Sequence, residues 1–297
     1  MLTNTKIQIQ ALSEKVGRKI INVENISLLE LDKEEIINLF KSSGFLLFRG
    51  FETNVETFRE FSNSLSRDFM DYTGGAFNRR IINNDTTILT VNDFKDEVKL
   101  HGEMYYTNKP PLMLWFFCAT PPLKNGETIV CDGEQFFHEL SNSMKDLLSK
   151  KQLKFPGNLK KENWQEKFKT NDCNVVKDIC KGNGMKVQVN EDESIDFQFI
   201  TPAIHKSKTG KDYVFINSLL PAKKINPKSV CFDDDSEITD EIISELNEIA
   251  ERITIDISWQ KGDILMIDNT RIMHGRRAFS DDRRDIYIRL CFPAFPF

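Results

Sequence analysis

The stretch TIDISWQKGDILMIDNTRIMHGRRAFSDDRRDIYIRLCF, residues 254–292, decides the architecture. Within it TIDISW (254–259), GDILMID (262–268) and DIYIRLCF (285–292) are rich in β-branched and aromatic residues and are bounded by Gly, Asn and Asp clusters. That is the pattern of short strands joined by turns. No helical period lies between them, so strands and helices do not alternate here as a doubly wound parallel sheet requires.

Working outward, LMLWFFCAT, ETIVCD, TTILTV, DFQFI and KDYVFIN read as further short strands, and RRII as a shorter one. LDKEEIINLFKSSG places Leu31, Ile36, Ile37, Leu39 and Phe40 on one helical face, and Gly44 ends that helix before the buried strand GFLLFRGF. A second helix is expected over about Val55 to Leu65, with Phe58 and Phe61 at helical spacing. One more spans DGEQFFHELSNSMKDLLSKK, capped by Asp132, and another ITDEIISELNEIAER at about 238–252. Residues 152–195 are polar and mixed around Trp164 and Phe168 and read as an insertion over the strands. The expected class is mostly β with flanking helices (α+β), a β-sandwich or open barrel. It forms one domain over 1–297, with an N-terminal α/β region at about 1–70 and a lid-like insertion at about 152–195.

Composition excludes several roles. Of 297 residues 40% are hydrophobic and 29% charged, a folded rather than disordered balance. A net charge of −5 offers no global attraction to nucleic acid or acidic membranes. No run approaches the ~20 apolar residues of a membrane helix, and the N-terminal stretch has no apolar signal core, so a cytoplasmic protein is the expectation. The six cysteines, at 118, 131, 173, 180, 231 and 291, form no C-x-x-C pair and read as free, mostly buried thiols. No phosphate-binding Gly-rich motif opens a helix.

There are only four histidines, so each can be weighed. In LHGEMYYT (100–107), His101 and Glu103 are two apart and emerge on one face of an extended strand. An imidazole and a carboxylate there supply most of a metal site, and His274, in DNTRIMHGRRAF, is the natural third ligand. Two His and one carboxylate leave open positions for an Fe(II) oxygenase. An isolated H-x-E arises by chance, so its weight comes from His274 and from Arg283, Arg284 and Arg289 beyond it, since guanidinium forks clamp carboxylates. His138 reads as a solvated or packed helix residue, and His205 as a neighbour of the site or a substrate contact. Arg276 and Arg277 read as members of a solvated ion-pair cluster.

With these motifs in view the chain resembles the TauD/TfdA (taurine dioxygenase-like) Fe(II)/2-oxoglutarate oxygenases, closest to the SyrP-like and clavaminate-synthase-like branch. YTGGAFNRR (72–80), LHGEMYYT, NGETIVCDG (125–133), HKSKTGKDYVFIN (205–217) and WQKGDILMIDNTRIMHGRRAF (259–279) stand in that family's order. The resemblance implies a double-stranded β-helix (jelly-roll, cupin-like) core and Fe(II), 2-oxoglutarate and O2 as cofactors. By position it implies His101, Glu103 and His274 as the iron ligands, and no catalytic residue beyond them. Thr128 and one of Arg284 or Arg283, Arg284 first, would hold 2-oxoglutarate. Arg79 and Arg289 would face substrate. Taurine dioxygenase itself has H-x-D where this chain has H-x-E, which disfavours a sulfonate substrate, and the intact Glu103 disfavours halogenation.

The implied reaction is hydroxylation of an unactivated C–H bond of a small molecule, an amino acid or its derivative, free or presented by a peptide-synthetase carrier domain, in specialised metabolism such as antibiotic biosynthesis. Desaturation or cyclisation with the same cofactors, a silent binding protein of the same fold, and a zinc hydrolase are the competing readings. The last leaves Thr128 and the arginine pair unexplained.

Overall fold

The computed structural model describes residues 6–71, 79–92, 94–208 and 212–296. Its first part runs β1 (Ile7–Ala11), β2 (Arg18–Asn22), α1 (Lys33–Ser43), β3 (Phe45–Arg49), α2 (Val55–Leu65), β4 (Ser66–Arg67), β5 (Ile81–Ile82), β6 (Asp85–Thr90) and β7 (Val98–His101). The middle adds β8 (Met113–Thr120), β9 (Thr128–Asp132), α3 (Gly133–Glu139), α4 (Asn142–Lys150), β10 (Gln152–Leu159), α5 (Lys161–Phe168), α6 (Cys173–Gly182), β11 (Lys186–Val189) and β12 (Ile195–Pro202). The last part holds β13 (His205–Lys206), β14 (Tyr213–Val214), α7 (Leu219–Ile225), β15 (Cys231–Phe232), α8 (Asp240–Ile253), β16 (Ile255–Ile257), β17 (Ile264–Asp268), β18 (Ile272–Arg276) and β19 (Asp285–Pro293).

Two sheets make the core of a jelly roll. The larger has the order β1-β2-β3-β17-β8-β19-β6-β5, with β4 on β19, and the smaller the order β16-β9-β18-β7. Nearly every pairing is antiparallel, but β2 and β3 run parallel because α1 intervenes between them. Leu114, Phe116, Leu265, Ile267, Ile286, Ile288 and Leu290 of the large sheet meet Val130, Ile257 and Ile272 of the small one in one buried cluster. The outer face of the large sheet is covered by α1 and α2 through Ile36, Phe40, Phe58 and Phe61. Because strand side chains alternate, Ile286, Ile288 and Leu290 of β19 face inward while Tyr287 and Cys291 face the α1/α2 cluster.

The N-terminal segment is continuous with this frame, since β3 pairs with β17 over Phe45–Phe48. Asp32 caps α1 by accepting from Glu35 N, and Gly44 closes it by donating to Phe40 O. One expected helix is two. Leu140 leaves helical geometry after α3, and the Ser141 hydroxyl caps α4 by accepting from Met144 N. A serine with a helix-starting position after it competes with continuation of the helix, which apolar spacing alone does not reveal.

Residues 152–195 are also more ordered than a polar loop. They contribute β10, β11 and the start of β12 to a four-stranded sheet, β11-β12-β10-β15, with α5 and α6 alongside. Trp164, Val176, Cys180 and Ile195 form its own small core, and Trp164 Nε1 donates to Glu193 O at 2.8 Å. Among the described residues no helix is long and apolar enough to cross a membrane.

Candidate metal centre

The β7/β18 ladder sets the centre. His101 and His274 are Cα partners, and a bulge follows before Arg276. Gly275 in that bulge is forced, because a Cβ there would lie 2.5 Å from Val98 O. Glu103 is not on the strand as the spacing predicts. It follows the end of β7 in a tight turn where Met104 has φ 60°. Asn269 fixes that turn, accepting from Glu103 N at 2.8 Å while its amide donates to Glu103 O and Pro111 O.

The three side chains converge. Glu103 Oε2 stands 3.7 Å from His101 Nε2 and 3.4 Å from His274 Nε2, and one ligand atom from each residue lies within 4.8 Å of the others. His101 Nδ1 lies 2.9 Å from Lys99 O, which places its proton on Nδ1 and turns the Nε2 lone pair to the centre. Burial, and His101 opposite, push the His274 imidazole down to about 4, so it is a neutral donor at ordinary pH. Burial alone would raise the Glu103 carboxyl, but Arg79, His101 and His274 outweigh it and hold the group well below the usual carboxylate range. Two imidazole lone pairs and one carboxylate suit a divalent transition metal.

A cleft opens on this face. Its lining includes Arg79, Phe94, Phe116, Thr128, Arg276, Arg284 and Ile288 beside the three converging residues. Thr128 opens β9, and its Oγ1 accepts from Trp259 Nε1 at 3.1 Å, leaving the hydroxyl proton to donate elsewhere. Arg284 is buried. Its Nε donates to Gly126 O at 3.1 Å, and its Nη1 to Val91 O and Asn92 Oδ1 at 3.2 and 2.9 Å. Gly126, with φ 77°, gives that carbonyl its direction, and a Cβ there would sit 2.9 Å from Phe279 and 3.2 Å from the Arg284 side chain. Arg284 Nη2 makes no hydrogen bond among the described residues. Burial and the nearby Arg276 lower this guanidinium to about 9. A cation held by neutral acceptors with a donor to spare suits an anionic ligand such as a carboxylate.

Arg283 points the other way, exposed and paired with Asp281 at 3.1 Å, so the two neighbours are cleanly divided. Arg79 lines the cleft and its Nη2 pairs with Glu103 Oε1 at 3.2 Å. The rest of YTGGAFN, residues 72–78, lies outside the described residues. Arg289 corrects the expectation of a substrate-facing group. It sits on the outer face of β19, donating to Ser62 Oγ and Asn63 Oδ1 of α2 and to Thr87 Oγ1, with Phe69 against its plane. Arg276 corrects the expectation of a solvated cluster. It is buried between Phe94 and Phe279 and donates to Val91 O, Phe94 O and Asp96 O. Arg277 does belong to such a cluster, bonded to Asp256 and Glu251.

His138 is an exposed partner of Asp212. His205 packs edge-on against Tyr105, outside the cleft lining. Sequence reasoning missed Asn269, Trp259 and Asn92, which position the others. Only the position of Asn269 in the run DNTRIMH hinted at one of them. None of the described lining residues comes from 152–195, although Asn108 N, beyond the Glu103 turn, donates to Asn183 O at 3.1 Å.

The sequence profile of the family described as "Taurine catabolism dioxygenase TauD, TfdA family" matches residues 8–291. A clavaminate synthase-like protein of Arabidopsis thaliana is 26% identical over 286 residues, covering 89% of this chain and 86% of its own. The dapdiamide synthesis protein DdaC of Enterobacter agglomerans is 21% identical over 283 residues, covering 88% and 86%. The crystal structure of PvcB from Pseudomonas aeruginosa superposes with a TM-score of 0.64 at 14% identity, covering 98% of this chain and 93% of that one. PvcB is described as an Fe, alpha-ketoglutarate dependent oxygenase from an isonitrile synthetic pathway.

Proposed function

The chain belongs to the TauD/TfdA dioxygenase family, and from that premise we propose that it hydroxylates an unactivated C–H bond of an amino acid or amino-acid derivative. It is a non-haem Fe(II)- and 2-oxoglutarate-dependent dioxygenase. The observation that carries the reading is that the His101, Glu103 and His274 cluster shares one cleft with Thr128 and Arg284.

Iron held at this cluster, with 2-oxoglutarate and O2, would supply the oxidising power for the reaction. The protein supplies position and a screened pocket. His101, Glu103 and His274 would hold the metal, since their ligand atoms converge beside the cleft. The Thr128 hydroxyl and Arg284 Nη2, both facing the cleft, would bind a carboxylate of 2-oxoglutarate. Trp259, Asn92 and Gly126 keep those two donors aimed. Phe94, Phe116, Val98 and Ile288 make the remaining wall apolar, which strengthens each charge contact inside it. The amino-acid class follows from the resemblance to the SyrP-like branch, and a biosynthetic role is in keeping with the similarity to the dapdiamide synthesis protein DdaC and to PvcB of an isonitrile synthetic pathway. The layer over 152–195, which meets the segment after the Glu103 turn where Asn108 N donates to Asn183 O, closes over bound substrate, and slower hydrogen exchange there on substrate addition is the expected sign.

Anaerobic addition of Fe(II) and 2-oxoglutarate to the metal-free protein tests the reading. A weak visible charge-transfer band is expected for the wild type and none for His101→Ala. Iron binding without any band would remove 2-oxoglutarate from the account.

A further inference from the structure

Nine of the described residues other than glycine have positive φ, and six of them are Asn or Asp, whose side chains tolerate left-handed backbone best. Of the rest, Lys169 closes α5 and Glu193 lies in the turn between β11 and β12. Met104 is the one apolar member, and it directly follows Glu103. Left-handed backbone in such a residue carries strain, which persists where the surroundings over-determine it.

The peptide groups around Met104 are tied on both sides. Gly102 N donates to Asn217 O at 3.0 Å, and Gly102 O accepts from Ser218 Oγ at 3.4 Å. Glu103 N and O are both bound to the Asn269 side-chain amide. Met104 O accepts from Thr107 N and from Thr107 Oγ1, at 3.0 and 3.1 Å. Past Met104 the chain doubles back, and the Tyr105 ring lies over Gly102, where a Cβ would come within 2.4 Å of it. The Tyr105 hydroxyl then donates to Asn269 O at 3.0 Å. One asparagine therefore holds the residue before Met104 and the residue after it. The thioether itself is half-buried against the cluster between the two sheets.

We propose that Met104 is a positioning residue for the metal: its left-handed backbone, and not its thioether, turns the Glu103 carboxylate toward His101 and His274. This deepens the function proposed above and rests on its metal assignment. With extended backbone at 104 the chain would run on from β7, Tyr105 would leave Gly102 and the Asn269 clamp would open. Held as it is, Glu103 stands 3.7 and 3.4 Å from the two imidazoles. A carboxylate fixed through its backbone has little left to order when a metal binds.

The test measures Mn(II) affinity by electron paramagnetic resonance, with far-UV circular dichroism as the check on folding. Met104→Ile keeps an apolar side chain but branches at Cβ, which disfavours left-handed backbone. It should bind Mn(II) at least about tenfold more weakly than the wild type. Met104→Asn and Met104→Gly discard the thioether but accept the backbone, and both should bind within about threefold of the wild type. If the thioether mattered through packing, the order would reverse, with Met104→Ile tolerated and the other two weakened. That order would overturn the proposal, and so would equal affinity in all four proteins. If Met104→Ile does not fold, the other two still decide, because a loss of about tenfold in either folded variant sinks the idea. Failure of the wild type to bind Mn(II), or His101→Ala binding as tightly as the wild type, marks a different case. There the metal centre itself is wrong, and this proposal falls with it.

Discussion

His101 on β7 stands opposite His274 on β18 in one antiparallel ladder, with ring centroids 4.4 Å apart. Directly paired residues bring their side chains together on one face of a sheet, so backbone register alone joins two imidazoles that are remote in sequence. Glu103 enters from the turn that follows, and Asn269 holds that turn by bonding both its N–H and its C=O. The backbone frame of the centre is set by pairing and by one amide clamp.

His101→Ala, His274→Ala and Glu103→Gln should each weaken metal binding by more than about 100-fold and abolish 2-oxoglutarate turnover. Far-UV circular dichroism should stay as in the wild type, because the ladder is held by main-chain bonds. Metal content after gel filtration and succinate release check this. Retention of wild-type turnover by any one of the three would remove that residue from the centre.

The division between Arg284 and Arg283 gives the next expectation. On the reading proposed above, Arg284→Gln would take a buried charge from the 2-oxoglutarate carboxylate, a loss of about 2–5 kcal/mol, and should raise the KM for 2-oxoglutarate at least about 30-fold. Arg283→Ala breaks only an exposed contact with Asp281 and should leave KM unchanged. Comparable effects in both variants would assign the co-substrate clamp elsewhere.

Much of this was legible in the sequence, for a physical reason. Strand runs such as GDILMID and the capped helix at Asp32 are local, and local patterns survive into the fold. The three converging residues were legible as residue types, and Arg284 only as the first choice of a pair with Arg283. One position along a chain reverses the direction of a side chain near a strand, and the exit of β19 from its turn decides which arginine is inside. The same alternation carried Arg289 to the outer face. Arg276 was misread because its partners are main-chain carbonyls of the 91–96 segment, which leave no mark in side-chain identity.

Acid should destabilise the metal-free protein through His274. Its folded pKa is depressed from 6.5 to about 4, so between those values the unfolded chain binds a proton that the folded one refuses. Stability therefore falls as pH drops through that window, by an amount on the order of 3 kcal/mol for this group. Glu103 is held low and stays charged over most of the same range, so it adds little there. Denaturant titrations of wild type and His274→Gln at pH 7 and pH 4.5 check the sign. The variant should lose less stability on acidification, and equal losses would place the proton uptake on other groups.

Arg276→Met should be destabilising by at least about 2 kcal/mol, since three carbonyls lose a shared donor and the cation leaves two aromatic faces. The consequence should extend to the cleft wall, because Val91 and Phe94 are both carbonyl partners of Arg276 and cleft-lining residues. Arg284 also donates to Val91 O and Asn92 Oδ1, so the loosened segment should raise the KM for 2-oxoglutarate, though less than Arg284→Gln does. Faster hydrogen exchange over 91–97 should accompany the change. A variant that melts early while exchange over 91–97 and KM stay at wild-type values would confine Arg276 to stability and separate it from the site.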